Sequence, residues 1–307
     1  MLPCSRPRPV PRFPRVPDSP PPPAGALYLV STPIGNLEDI TLRALRVLAE
    51  VTLVAAEDTR RTAKLFSHYG IHTTTTSFHA HNEVRKGPQI LRRLARGDSV
   101  ALVADAGTPL LSDPGARLVR EALAAGVKVH AVPGPSAALT GLVMSGLGGG
   151  AFTVVGFPPP RSNDRKRWLE SLAAEPRPLV VFEAPHRLRA ALADMATVLG
   201  DRDIAVCREM TKAHEDLVTG PITDVMKRLS AARGEYTLVV GPPAAPAGDR
   251  GGAVDGERLW HEFCHLTESL GCDRRLAVRI LADRHALGGR SVYSLLEARK
   301  KIGSIDQ

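Results

Sequence analysis

Residues Ser99 to Gly115 read SVALVADAGTPLLSDPG. Val100 to Val103 are apolar and uncharged, and after Asp105 the chain is broken by Gly107, Pro109, Pro114 and Gly115. A short uncharged run of this kind is what a central strand of a parallel sheet requires when helices cover both of its faces. ARLVREALAA, from Ala116, then carries a helical pattern. Strand, small-residue loop and helix in this order place the loop at the carboxyl edge of a sheet, where open α/β folds bind ligands. The local alternative is a tight turn in which Asp113 caps the helix.

The same unit recurs on either side. Ala26 to Ser31 reads as a strand ending in Thr32-Pro-Ile-Gly-Asn36, with Asp39 as the N-cap of a helix that sets Leu42, Leu45 and Leu48 on one face. Val51 to Ala56 ends in Glu57-Asp58-Thr59-Arg60 and leads to a helix through Tyr69. Thr73 to Phe78 ends in His79-Ala-His81-Asn-Glu83, ahead of a helix carrying Ile90, Leu91 and Leu94. Val127 to Val132 ends in Pro133-Gly134-Pro135-Ser136 and enters a helix over Ala137 to Met144. Five strands alternating with five helices predict a parallel sheet joined by right-handed crossovers. Every unusual residue then falls on one edge of that sheet.

Gly146 to Ala151 spells G-x-G-x-x-A. A dinucleotide fingerprint needs a strand before it and a helix after; here the order is reversed, and the turn reads as a hinge between domains. A second α/β unit follows, with strands at Phe152–Phe157, Leu179–Phe182, Ile204–Cys207 and Tyr236–Val240 and a basic loop from Pro158 to Arg167. The expected layout is a disordered Pro/Arg-rich extension at 1–24, an N-terminal α/β domain at 25–147, a second α/β domain at 148–242, a linker at 243–256 and a helical tail at 257–307. In the tail, Leu276, Ile280 and Leu281 share one face, and Val292, Leu295 and Leu296 resume the pattern after a glycine turn. That arrangement suggests an RNA-contacting helix-turn-helix, with a plain capping hairpin as the alternative.

The net charge of +8 is unevenly placed. Residues 1–24 carry +3 and residues 274–307 carry +5, so the body between them is neutral. Basic ends on a balanced body suit a polyanionic partner gripped from the periphery, although arginines and lysines also serve simply to solvate a tail. No apolar run reaches the roughly 20 residues of a membrane span, and no apolar segment follows the N-terminal arginines, so a cytoplasmic protein is expected. Cysteines at positions 4, 207, 264 and 272 form no disulfide framework. His79-Ala-His81, and the group His261, Cys264, His265 and Cys272, lack the paired spacing of strong zinc sites, and no metal is expected.

Taken together, STPIGNLEDIT, EDTR, SFHAHNE, ADAGTPLLSDPG, VPGPSA, VVFEAPHR, CREMTKAHE and GEYTLVVG resemble, in order and spacing, the bacterial 16S ribosomal RNA cytidine 2′-O-methyltransferases, the small subunit methyltransferase I group of the tetrapyrrole methylase superfamily. The resemblance covers about residues 26–242. It implies a two-domain tetrapyrrole methylase-like fold with parallel and mixed sheets, S-adenosylmethionine held in the cleft, a homodimer, and a decoding-centre cytidine of the 30S subunit as target. By the same resemblance, donor contacts fall to Pro33, Gly35, Asp105, Ala106, Gly107, Thr108, Pro133, Gly134 and Ser136. The substrate side falls to Arg60, His81, Glu183, Arg187, Arg208 and Glu215, with Glu57 beside them. The Gly148 to Gly150 turn departs from relatives, which usually carry a proline and polar residues there.

The chemistry is compatible with these residues. A sulfonium donor has no phosphate, so no phosphate-cradling glycine loop is required, and Gly35, Gly107 and Gly134 let backbone approach an adenosine closely. Methyl transfer to a ribose hydroxyl is an in-line displacement that needs alignment and a proton acceptor. Asp58, Glu209 and His79 are candidate acceptors, and Lys212 or Arg60 could stabilise developing negative charge. Two other classes stay open: a methyltransferase acting on a tetrapyrrole of the precorrin type, and a non-catalytic RNA-binding protein on the same scaffold.

Overall fold

The computed structural model describes residues 24–111, 113–148, 150–229, 234–243, 256–269, 272–285 and 287–303. The expected extension up to residue 23, the linker from 244 to 255 and Gly149 of the hinge turn lie outside them. The chain divides into two compact units, Met1–Pro243 and Ala244–Gln307.

The first unit contains two sheets. β1 (Ala26–Val30), β2 (Leu53–Ala56), β3 (Thr75–Ser77), β4 (Val100–Val103) and β5 (Lys128–Val132) form an all-parallel sheet in the order β3-β2-β4-β1-β5. Alternate residues of β1 explain why its strands are apolar throughout. Ala26, Tyr28 and Val30 pack towards α1 (Leu42–Glu50) and α2 (Thr59–Tyr69), whereas Leu27 and Leu29 pack towards α3 (Glu83–Ala95) and α4 (Ala116–Ala124). Because β1 and β4 are neighbours whose following helices lie on opposite faces, their carboxyl ends open a crevice at the topological switch point.

Three local expectations are corrected here. Thr41, not Asp39, caps α1, its Oγ1 accepting the Ala44 N–H at 3.1 Å, because Leu37–Asp39 wind into a 3₁₀ turn of their own capped by Asn36. Leu42, at the first helical position, is 49% exposed, and the buried face is Ala44, Leu45, Val47 and Leu48. Asp113 does not cap α4; the helix starts at Gly115, whose φ of +120° a side chain rarely adopts and whose Cβ would lie 2.5 Å from Leu102 Cδ2.

The second sheet runs β6-β7-β10-β8-β9, from β6 (Thr153–Gly156), β7 (Leu179–Glu183), β8 (Asp203–Arg208), β9 (Asp216–Pro221) and β10 (Tyr236–Val240). Only β6 and β7 pair in parallel; β10 is antiparallel to both neighbours and β8 to β9. β9 was not anticipated from the sequence. It is an edge strand, DLVTGP, in which Leu217 and Thr219 are exposed and only Leu217 and Val218 are apolar neighbours, so it lacks the apolar run of the inner strands. α6 (Ser162–Leu172), α7 (Leu188–Leu199) and α8 (Ile222–Arg228) cover one face. The other face is covered by α5 (Ala137–Ser145), which follows the first sheet in sequence but buries Ala138 and Leu142 against Val180, Ala205 and Val239 of the second.

The second unit has its own core. α9 (Gly256–Cys264) continues into a wide π-type turn at His265–Ser269, and α10 (Arg274–Arg284) and α11 (Gly289–Gly303) follow. Leu259, Phe263, Leu266, Ala277, Leu281, Val292 and Leu296 are buried together. Leu276, expected on the core face, is 45% exposed: Asp273 accepts the Arg275 and Leu276 N–H groups as the cap of α10, and this phase turns Ala277 inward instead. No helix of the described residues is long and apolar enough to cross a membrane.

Candidate active site

At the switch point the loops after β1, β4 and β5 are laced together by their own backbone. Thr32 and Gly107 exchange both N–H to carbonyl bonds at 2.9 Å, and Thr32 Oγ1 donates to the Ala104 carbonyl at 3.2 Å. Thr108 Oγ1 donates to the Pro135 carbonyl at 3.1 Å and accepts from Ser31 Oγ at 3.3 Å. Ser136, at the end of the third loop, caps α5. Gly107 has φ +79°, and a Cβ there would lie 3.3 Å from Ile34 Cγ2. Its N–H and carbonyl are already taken by Thr32, so Gly107 gives a ligand room, while Ala106 and Thr108 are the neighbours left to read one.

The loop after β2 joins this floor through carboxylates. Glu57 Oε2 accepts the Asp105 N–H at 3.2 Å, Asp105 Oδ1 accepts the Asp58 N–H at 2.8 Å, and Arg61 Nε lies 3.5 Å from Asp105 Oδ2. Arg61 also reaches Glu235 of the second half at 4.0 Å. It was not anticipated; one arginine in an EDTR-R run gives no signal of which way it points.

The floor meets the second half in a cavity of about 450 Å³. Asp105, Ala106, Gly107, Thr108 and Ser136 line it from below, and Phe157, Phe182, Glu183, Glu235 and Thr237 from across. The rings of Phe157 and Phe182 pack 5.5 Å apart as an apolar wall. Asp113 lines it as well, and burial, reinforced by the charges of Glu57 and Asp105, pushes its carboxyl up to about 7. A smaller cavity of about 240 Å³ adjoins, lined by Pro33, Gly35, Lys64, Lys212 and the shared Arg61, Asp105, Ala106 and Glu235.

The two halves also touch outside the cavities. Asn36 N–H donates to Thr211 Oγ1 at 3.0 Å, and a Cβ on Gly35 would lie 2.7 Å from Lys212 Cγ. Among the described residues, the non-glycine positions with positive φ are Leu110, Glu209 and Thr211, all on loops around the cleft. Left-handed backbone is costly for a β-branched residue such as Thr211, and clustering of such strain around a cleft is typical of functional loops.

The expected site residues divide accordingly. Pro33, Gly35, Asp105, Ala106, Gly107, Thr108 and Ser136 come together along the two cavities. Pro133 and Gly134 are exposed and line neither; a Cβ on Gly134 would lie 3.0 Å from Ser31 Cβ, so they buttress the first loop. Glu209 and Lys212 form an ion pair at 3.0 Å in a narrow connection between the cavities. Asp58 is clamped by Arg60, whose hydrogen bonds lower its carboxyl to about 2. His79 lines no cleft cavity; its Nε2 lies 3.0 Å from Asn82 Nδ2, and the exposed His81 ring sits 6.0 Å away. Arg208 pairs with Asp216 at 3.3 Å beside β9, and Glu215 accepts the strained Thr211 N–H at 2.6 Å.

Glu183 is buried and pairs with the half-buried Arg187. Glu183 Oε1 takes Arg187 at 2.6 Å and the Ala184 N–H at 2.8 Å, while Glu183 Oε2 is buried without a partner on a residue that lines the larger cavity. An orphaned carboxylate oxygen, a glycine-cleared floor, an aromatic wall and an excess of carboxylates fit a cationic nucleoside with amino and hydroxyl donors, as S-adenosylmethionine is. The same set does not suit a phosphate.

Comparisons with known proteins agree with this architecture. The family described as Tetrapyrrole (Corrin/Porphyrin) Methylases matches residues 26–226. A protein of Halalkalibacterium halodurans named ribosomal RNA small subunit methyltransferase I is 38% identical over 88% of this chain and 94% of its own length. One of the same name from Mesorhizobium japonicum is 48% identical over 72% of this chain and 77% of its own. Among solved structures, a Thermus thermophilus uroporphyrin-III C-methyl transferase complexed with S-adenyl homocysteine aligns with a TM-score of 0.52 at 21% identity, covering 70% of this chain and 97% of that one. A cobalt precorrin-4 methyltransferase aligns at 0.53 and 17%, covering 71% of this chain and 95% of that one. At such identities the structures speak for the fold alone.

Proposed function

The chain belongs to the tetrapyrrole methylase family, among its ribosomal RNA small subunit methyltransferase I members, and from that premise we propose that it 2′-O-methylates a decoding-centre cytidine of 16S ribosomal RNA. S-adenosylmethionine, when bound, supplies an electrophilic methyl group on a sulfonium. The observation that carries the reading is the cavity of about 450 Å³ at the switch point, walled by both sheets and rich in carboxylates.

Within it the chain's own residues divide the work. Gly107 and Gly35 keep the floor clear, and Ala106 and Thr108 offer backbone to the adenosine. Glu183 Oε2 accepts from an amino or hydroxyl group, and Phe157 and Phe182 exclude water from the second-half side. Alignment of the hydroxyl with the methyl group supplies much of the rate. Lys212 and Arg61, each tied to carboxylates, line the smaller cavity and in this reading meet the RNA backbone. Residues 274–307 of the helical unit carry a net +5 that suits phosphate contacts. The protein works on the 30S subunit in the cytoplasm as a homodimer in this reading.

Incubation with tritiated S-adenosylmethionine and either 30S subunits or naked 16S RNA tests it. Label at a cytidine ribose supports the reading. Label in uroporphyrin or precorrin substrates alone would assign the chain to the tetrapyrrole chemistry of its structural neighbours, and no label in any substrate would leave a binding protein.

A further inference from the structure

Among the described residues, every carboxylate around the cleft except one already has a partner. Glu57 holds the Asp105 N–H, Asp105 holds the Asp58 N–H and Arg61, Asp58 holds Arg60, Glu183 holds Arg187, Glu209 holds Lys212, and Glu235 faces Arg61. A cation or N–H beside a carboxylate stabilises its charged form and removes its basicity. Asp113 has neither a hydrogen bond nor an ion pair among the described residues. It is half-buried on the wall of the larger cavity, on the same loop as Thr108.

We propose that Asp113 is the proton acceptor of the methyl transfer, an inference that rests on the functional reading above. The ribose oxygen forms its bond to the methyl carbon as the carbon–sulfur bond breaks, the electron pair staying on sulfur. The hydroxyl proton, acidified as the new bond forms, passes to the Asp113 carboxylate. One positive and one negative charge vanish together, so the apolar wall of Phe157 and Phe182 assists the step. The groups sharing the cavity with Asp113 are Glu57 from the β2 loop, Asp105 from the β4 loop, Arg61 from α2, Glu183 from β7, Glu235 ahead of β10 and Tyr236 at the start of β10. Burial, with the charges of Glu57 and Asp105 added, keeps the carboxyl basic, up to about 7, which matches a base to neutral conditions. Asp58, Glu209 and His79, the acceptors suggested by sequence, are each engaged elsewhere: with Arg60, with Lys212 and with Asn82.

The test uses the full-length protein and 30S subunits, with three readouts: single-turnover rate from pH 5 to 9, calorimetric affinity for S-adenosylhomocysteine, and carboxyl NMR titration of Asp113 in the free protein. The wild type should show a rate that rises with pH through an inflection near 7 and a matching Asp113 titration. Asp113→Asn should lose the inflection and about 100-fold or more in rate while holding S-adenosylhomocysteine within about threefold. Asp113→Glu should restore part of the rate, and Glu57→Gln should move the inflection to lower pH by removing a negative neighbour. The proposal is overturned if Asp113→Asn keeps rate and inflection, or if affinity for S-adenosylhomocysteine falls in step with rate, which would make Asp113 a wall of the donor site. An Asp113 carboxyl that titrates near 4 overturns it too. A wild type inactive on RNA whose Asp113 still titrates near 7 would instead sink the functional reading.

Discussion

Gly107 shows how much one residue can decide. Its backbone is locked to Thr32 with φ +79°, and a larger side chain would enter the space beside Ile34 while straining the loop. Gly107→Leu should cut S-adenosylhomocysteine affinity by about 100-fold, ~2.7 kcal/mol, as read by calorimetry. Asp113 makes a second residue-scale prediction, for stability. Its carboxyl binds a proton more readily in the folded protein, with a value of about 7, than in the unfolded chain. Between roughly pH 4 and 7 the native state therefore holds a proton that the unfolded state has released, and stability contributed by this site falls as pH rises. Thermal unfolding should show Asp113→Asn gaining on the wild type at pH 8 and matching it near pH 4. The sequence offered Asp113 only as a cap, because capping depends on the loop's dihedral angles, and the positive φ of Gly115 starts the helix without it.

At the scale of elements, α5 couples the two sheets. Gly141 faces Thr237, and a Cβ there would lie 2.7 Å from Thr237 Cγ2. Gly141→Val should overpack this contact and cost about 1–3 kcal/mol, seen as a lowered melting temperature. Because Thr237 lines the cavity, donor affinity should weaken with it. The Glu183 and Arg187 pair at the end of β7 is as consequential: Arg187→Ala leaves a buried carboxylate unpaired and should destabilise by about 3–5 kcal/mol, whereas replacing both with apolar residues should recover much of that loss. The parallel sheet was legible because β1, β2 and β4 are buried on both faces and therefore apolar throughout. β9 was not, since an edge strand with one wet face carries a weaker pattern. The packing of α5 on the second sheet was equally hidden, as its apolar residues do not say which sheet they cover.

At the scale of the molecule, the second unit has a core of its own, and its positive charge is concentrated in residues 274–307, which carry +5, while residues 25–273 are balanced. Deleting residues 244–307 should weaken RNA binding and flatten its salt dependence while leaving S-adenosylhomocysteine affinity nearly unchanged. Filter binding across salt concentrations, beside calorimetry, reads the two apart, and equal losses would make the unit a folding element. The convergence of the loops after β1, β4 and β5 was legible from their order along the chain, since parallel strands must deliver their carboxyl ends to one edge; the partners that silence most of the carboxylates there were not, because ion pairs across loops leave no periodicity. The reciprocal bonds between Thr32 and Gly107 carry a last consequence, in time rather than space. A floor fastened before any ligand arrives has little motion left to lose. Deuterium exchange at the Gly107 amide should already be slow in the free protein and barely slow further on loading, so that ligand arrival registers at the rim of the cleft and not at its base.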